Sequence, residues 1–111
     1  MSTYSKVDPG TSWPSGDYRD VALLPLDDLV VSKVFGDLLE GTEPGLGDWL
    51  AVGFQLYDGH YVELVRYKAS PPPLGYIVRF DSSASVEPAL SSVLSLAGLT
   101  RSALPWVAAG P

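Results

Sequence analysis

The residues able to do acid–base or metal chemistry are few. His60 is the only histidine in the chain, in "YDGHYVE", two residues after Asp58 and three before Glu63. An imidazole between two carboxylates is raw material for general acid–base catalysis or for a metal site. The surrounding pattern argues for a turn instead. Asp58-Gly59 lies between the apolar runs "GFQLY" and "YVELVRY". Asp-Gly in that setting is a strong hairpin signal, because glycine accepts positive φ. His60 then sits at a hairpin tip, and Asp58 is too near in the turn to orient its ring. No second histidine exists to share a metal. Serines are plentiful, but a single histidine at a hairpin tip does not make a Ser–His arrangement. The glycines of "GTEPGLG" are interrupted by Pro44 and are followed by no P-loop lysine. Asp27 and Asp28 read better as a helix start than as metal ligands. The sequence therefore assigns no catalytic residue, no metal and no cofactor.

Stepping from the turn to its strands, register decides which side chains share a face, since a slip of one residue flips a strand. A two-residue turn would set Tyr61, Glu63, Val65 and Tyr67 among Leu50, Val52, Phe54 and Leu56, and would bury Glu63 in the core without a partner. A three-residue turn with Gly59 left-handed sets Val62 and Leu64 there instead, and this register is expected. It turns Arg66 and Lys68 inward at the far end of the strand, where they must snorkel. It places Trp49, Gln55, Tyr57, Tyr61, Glu63 and Tyr67 on the opposite face. That aromatic, partly acidic set suits a protein-recognition surface. The competing expectation is that the leader, with Trp13 and Tyr18, folds over it.

The strands need helices to close a core. Residues 1–19 carry Pro9, Gly10, Pro14 and Gly16 and read as an extended leader, with residues 20–111 as a single domain. "DVALLPL" reads as a short strand cut by Pro25. "LDDLVVSKVFGDLLEG" has helical spacing, with Asp27 as N-cap, Asp28 in the first turn, and Val31, Val34, Phe35, Leu38 and Leu39 as an apolar stripe stopping at Gly41. Gly36 inside it costs about 1 kcal/mol relative to alanine. Three strand-like runs follow: "WLAVGFQLY", "YVELVRYKA" and "LGYIVRFDS". The second and third are separated by "SPPP", which cannot continue a ladder. "SVEPALSSVLSLAGL" reads as a second helix, with Leu90, Val93, Leu94 and Ala97 inward and Gly98 as its stop. The tail is expected to pack through Leu104 and Trp106. Neither helix nor sheet alone buries its apolar face, so the expected fold is α+β, in two layers. An antiparallel meander of three or more strands carries two helices on one face.

Composition narrows the function classes. The chain has 111 residues, 46% hydrophobic and 18% charged, with no cysteine. Disulfides, thiolate metal sites and cysteine nucleophiles are excluded. No apolar run is long enough to span a bilayer, and "MSTYSKVDPGTSW" lacks the apolar core of a secretory signal. A cytoplasmic location is expected. Asparagine is absent and isoleucine occurs once, at Ile77, a bias resembling that of high-GC bacterial genomes. Residues 1–60 hold ten acids against three bases, −7, and residues 61–111 hold three acids against four bases, +1. An acidic half repels phosphate backbones and attracts basic proteins. Asp37, Glu40, Glu43 and Asp48 join the aromatic set as the expected partner-binding residues.

The layout of residues 49–106, a meander, a short helix and the closing "LPW", in a small acidic chain without cysteine, resembles the immunity proteins of bacterial polymorphic toxin systems. The resemblance implies a non-catalytic protein that binds and neutralises one cognate toxin domain, as a monomer or homodimer. It carries no diagnostic motif, so no residue role comes with it. The alternative is a secretion chaperone or adaptor holding an extended partner segment. Class I type III chaperones are similar in size, acidity and element order. A small ligand-binding domain or enzyme using the aromatic face as a pocket wall is a third expectation.

Overall fold

A computed structural model of the chain describes residues 4–7, 18–45, 47–56, 60–69, 75–81 and 85–107, with the backbone alone for residues 4–7, 18, 43 and 81. Strands β1 (Tyr4–Val7) and β2 (Tyr18–Leu24) precede helix α1 (Asp28–Phe35). Strands β3 (Leu39–Glu43), β4 (Gly47–Leu56), β5 (Tyr61–Tyr67) and β6 (Tyr76–Asp81) follow. Helix α2 (Val86–Ala97), a 3-10 turn at Arg101–Ala103 and the two-residue strand β7 (Trp106–Val107) complete the chain.

All strands join one open antiparallel sheet in the order β1-β4-β5-β6-β2-β7, with β3 also paired to β4. β1 and β3 share the row beside β4: β1 pairs with residues 53–56 and β3 with residues 47–51. The expected meander is β4-β5-β6. Its register is the three-residue-turn one, with Phe54 opposite Val62 and Val52 opposite Leu64. The backbone of Leu56 donates to the His60 carbonyl at 2.8 Å, closing the hairpin. Residues 57–59, where the left-handed Gly59 was expected, lie outside the described residues.

Part of the leader is extended strand. Tyr4–Val7 pairs along β4, and β2 begins at Tyr18, so a boundary after residue 19 falls inside a strand. β2 ends at Leu24, before Pro25, as the missing proline N–H requires. Whether Trp13 covers a sheet face lies outside the described residues.

α1 starts as its sequence dictates. Asp27 caps it, its carboxylate accepting from the Val30 N–H at 2.9 Å, and Asp28 lies in the first turn, where a negative charge favours the helix dipole. It stops earlier than periodicity suggests. Gly36 takes φ +122°, a conformation that strains residues bearing a Cβ. The helical spacing of residues 37–41 is therefore not used as helix, and Leu39–Glu43 becomes β3. α2 spans the expected residues, and the Gly98 N–H closes its C-terminus onto Ser95 and Leu94 carbonyls.

Both helices pack on one face of the sheet. Val31 and Phe35 of α1 and Val86, Ala89, Leu90, Val93 and Leu94 of α2 meet Leu50, Val52, Phe54, Leu56, Val62, Leu64, Tyr76, Val78 and Phe80 from the strands. Phe35 stacks on Phe54 with ring centroids 5.1 Å apart. Burying each such side chain contributes roughly 1.5–3 kcal/mol. Leu104 packs against this core as expected, but Trp106 does not: it is 47% exposed. Its strand is only two residues long and pairs at the rim, opposite Leu23.

Candidate functional site

The second face of the sheet gathers the expected aromatic residues. Trp49 lies opposite Tyr67, Gly53 opposite Glu63 and Gln55 opposite Tyr61. Its centre is closed to solvent: Glu63 is 5% exposed, and Ala51 and Val65 are buried with it. Glu63 is thus on the expected face, but buried in it rather than presented at its surface. Trp49, Tyr61 and Tyr67 are half-buried. Tyr57 lies outside the described residues.

Arg79 makes this burial tolerable. The β5–β6 register sets it opposite Glu63, and the β2–β6 register sets it opposite Asp20. Its Nη1 donates to Glu63 Oε1 at 3.3 Å, its Nε to Asp20 Oδ1 at 2.8 Å, and its Nη2 to the Tyr67 hydroxyl at 3.2 Å. The guanidinium carbon also lies 5.7 Å from the Tyr67 ring centroid, within cation–π range. Burial works against the charge on Arg79. The hydrogen bonds to Tyr67 and Asp20 outweigh it, and the proton is held more tightly than in free arginine. Such a group does not exchange protons near neutrality. The cluster is a clamp across β2, β6 and β5 that satisfies a buried carboxylate.

A second clamp closes the rim of the helix-covered face. Arg66, which the register turns inward, donates from Nε and Nη2 to the two oxygens of Asp28 at 2.9 and 2.8 Å. The Tyr76 hydroxyl donates to Asp28 Oδ1 at 2.6 Å. The bidentate arginine, set against burial, holds the Asp28 carboxyl below the ordinary range. Burial, then the bond to Asp28, pushes the Tyr76 phenol upward. The first-turn aspartate therefore also ties α1 to β5 and β6. Lys68, the other inward base, reaches Glu40 at 3.7 Å.

The expected acidic residues lie elsewhere. Asp37 is exposed in the loop before β3. Glu40 pairs in register with Leu50, and Thr42 with Asp48, so Glu40 and Asp48 stand on the helix side of the sheet, away from the aromatic set. The Glu40 side chain is 71% exposed. Asp48 is exposed and accepts from the Thr42 hydroxyl at 2.7 Å. Glu43 ends β3 opposite Gly47. Glu40 and Asp48 thus stand on the face opposite the aromatic set, while the Glu43 register position shares the aromatic side with Gly41, and the sets meet at the β3–β4 corner. There the Trp49 indole lies over Gly41, where a Cβ would collide with it.

Among the described residues no group of three or more His, Asp or Glu could hold a metal, and His60 is half-buried at the hairpin end. A shallow groove of about 330 Å³ runs along α2 past Leu90, Leu94 and Leu99, bridged by the exposed Glu87–Arg101 pair. No described helix is long and apolar enough to cross a membrane. Comparison with known protein families, curated proteins and solved structures finds no match to the chain.

Sequence reasoning missed Asp20, Arg66 and Arg79 as partners. A lone arginine at an alternating position of "YIVRFD" is the one signal pointing to Arg79, and its partners become visible only once the β2–β6 and β5–β6 registers are known.

Proposed function

We propose that this chain is a non-catalytic protein-binding protein that neutralises a cognate toxin domain by engaging a basic surface of it. The observation that carries the reading is the division of its acids. Asp20, Asp28 and Glu63 are held by arginines, while Asp37, Glu40 and Asp48 stay exposed around one corner of a sheet braced from both faces. Exposed like charge on a rigid frame steers an oppositely charged protein and accelerates encounter. The half-buried Trp49 beside that corner belongs to a residue type favoured as an interface anchor.

Co-expression with the protein encoded immediately upstream is the test. The reading expects growth arrest by that protein's C-terminal domain, relief of the arrest by this chain, and co-purification of the two. Arrest without relief or complex would overturn it. An obligate dimer that instead retains an extended, non-toxic partner segment would support the chaperone reading.

A further inference from the structure

The β3 edge is the place where the sheet remains open next to exposed charge. β3 pairs with β4 on one side, and among the described residues no strand pairs with its other side. Every second residue of such an edge directs its N–H and C=O outward, a ready template for another strand. "LEGTE" has no proline, lysine or arginine, so the charges that guard this edge are glutamates alone, which repel acidic strands and admit basic ones. Its polar side chains include Glu40 and Thr42, its sequence ends in Glu43, and Asp37 lies just before it and Asp48 beside it. Gly41 leaves the backbone low at mid-strand, with the Trp49 indole as a flat shelf across it.

We propose that the outer edge of β3 is a docking edge for an extended basic polypeptide segment, which adds to the sheet as one more strand. Main-chain hydrogen bonds would supply affinity and alternate side chains specificity. Residues of the added strand beside Glu40 and Thr42 would be lysine or arginine. Those on the alternate side would be small or apolar, resting on Gly41 and Trp49. A second copy of this chain is a poor occupant. Edge-to-edge pairing would bring two acidic β3 strands, each flanked by Asp37 and Asp48, side by side in chains that each carry −6, and like charges across a strand pair destabilise it. This proposal rests on the protein-binding reading and names its mode of contact.

Amide hydrogen exchange of the full chain, followed by NMR with synthetic peptides, provides the test. One probe alternates arginine with valine, and a control alternates glutamate with valine. The expected result is that the arginine peptide slows exchange at alternate amides of residues 39–43 and the glutamate peptide does not. Glu40→Lys should weaken the arginine peptide about tenfold at low salt, with the shortfall shrinking as salt rises. Neighbouring N–H groups point to opposite sides of a strand, so one of Thr42→Pro and Glu43→Pro removes an outward donor and leaves the β4 pairing intact. The variant that melts like the parent should lose peptide binding. Binding without protection of β3 amides, equal protection by the glutamate peptide, or no binding at all would overturn the edge. The toxin reading would survive those results if growth relief persisted. Conversely, loss of growth relief with β3 protection intact would overturn that reading and leave the edge standing.

Discussion

Two sets of carboxylates differ in their partners: Asp20, Asp28 and Glu63 each hydrogen-bond an arginine presented by a neighbouring strand, while Asp37, Glu40 and Asp48 face solvent around β3. In the second set, among the described residues, only Glu40 meets a base, Lys68 at 3.7 Å. Nothing in residue type separates the sets, and all but Glu63 come from the same acidic half of the sequence. What differs is the register that brings Arg66 or Arg79 opposite. A buried carboxylate needs its partner, and removing one member of such a pair costs about 3–5 kcal/mol. An exposed one contributes about 0–1 kcal/mol to stability and keeps its field for an incoming molecule. Net charge alone would have counted both sets as partner-binding surface.

The largest effect should come from Arg79→Leu. It leaves Glu63 buried without its cation, and unfolding in urea should show a loss of about 3–5 kcal/mol. Arg79→Leu with Glu63→Leu should recover much of that loss, because no uncompensated charge remains. Recovery of nothing would mean that the clamp matters through Tyr67 and Asp20 instead.

The rim clamp is smaller and depends on pH. Asp28→Asn should cost about 1 kcal/mol at neutral pH, since Asp28 is partly solvated. The folded carboxyl titrates below its unfolded value. Its contribution is therefore fully present above the ordinary carboxylate range of about 4 and is lost as pH falls through the folded value. Stability measured against acid pH should flatten in Asp28→Asn. Tyr76 carries the opposite sign. Its folded phenol titrates above its unfolded value near 10, so stability present below that pH falls as pH rises past it. Tyr76→Phe should lose about 0.5–1 kcal/mol near neutrality and show less of this alkaline loss. A parent and variant with the same alkaline profile would contradict the burial of that hydroxyl.

How much of this was legible in the sequence depended on which contacts are local. The meander, the three-residue-turn register, the Asp27 cap and the span of α2 follow from alternation, turn chemistry and capping, which neighbouring residues report. The end of α1 was missed because the helical spacing of Leu38 and Leu39 continues past Gly36, and the positive φ there outweighs it. The two clamps were missed because Glu63 and Arg79 are joined only through a β5–β6 register that "SPPP" does not specify. The aromatic set and the acidic set looked like one surface because sequence order does not say that β3 turns Glu40 to the helix side.

The smallest stability effects belong to positions outside the core. His60→Ala and Glu40→Gln should each shift the thermal midpoint within the range of ordinary surface changes, about 0.5 kcal/mol or less. His60→Ala should leave growth relief unchanged, and loss of relief with folding intact would return the imidazole to the centre of the function.

The division between structural and recognition acids is tested most directly by one variant, Asp37→Asn/Glu40→Gln/Asp48→Asn, assayed for both thermal unfolding and toxin neutralisation. The account predicts a thermal midpoint close to that of the parent, together with loss of growth relief and an association rate that no longer falls steeply with salt. Full neutralisation by a stably folded variant would contradict it.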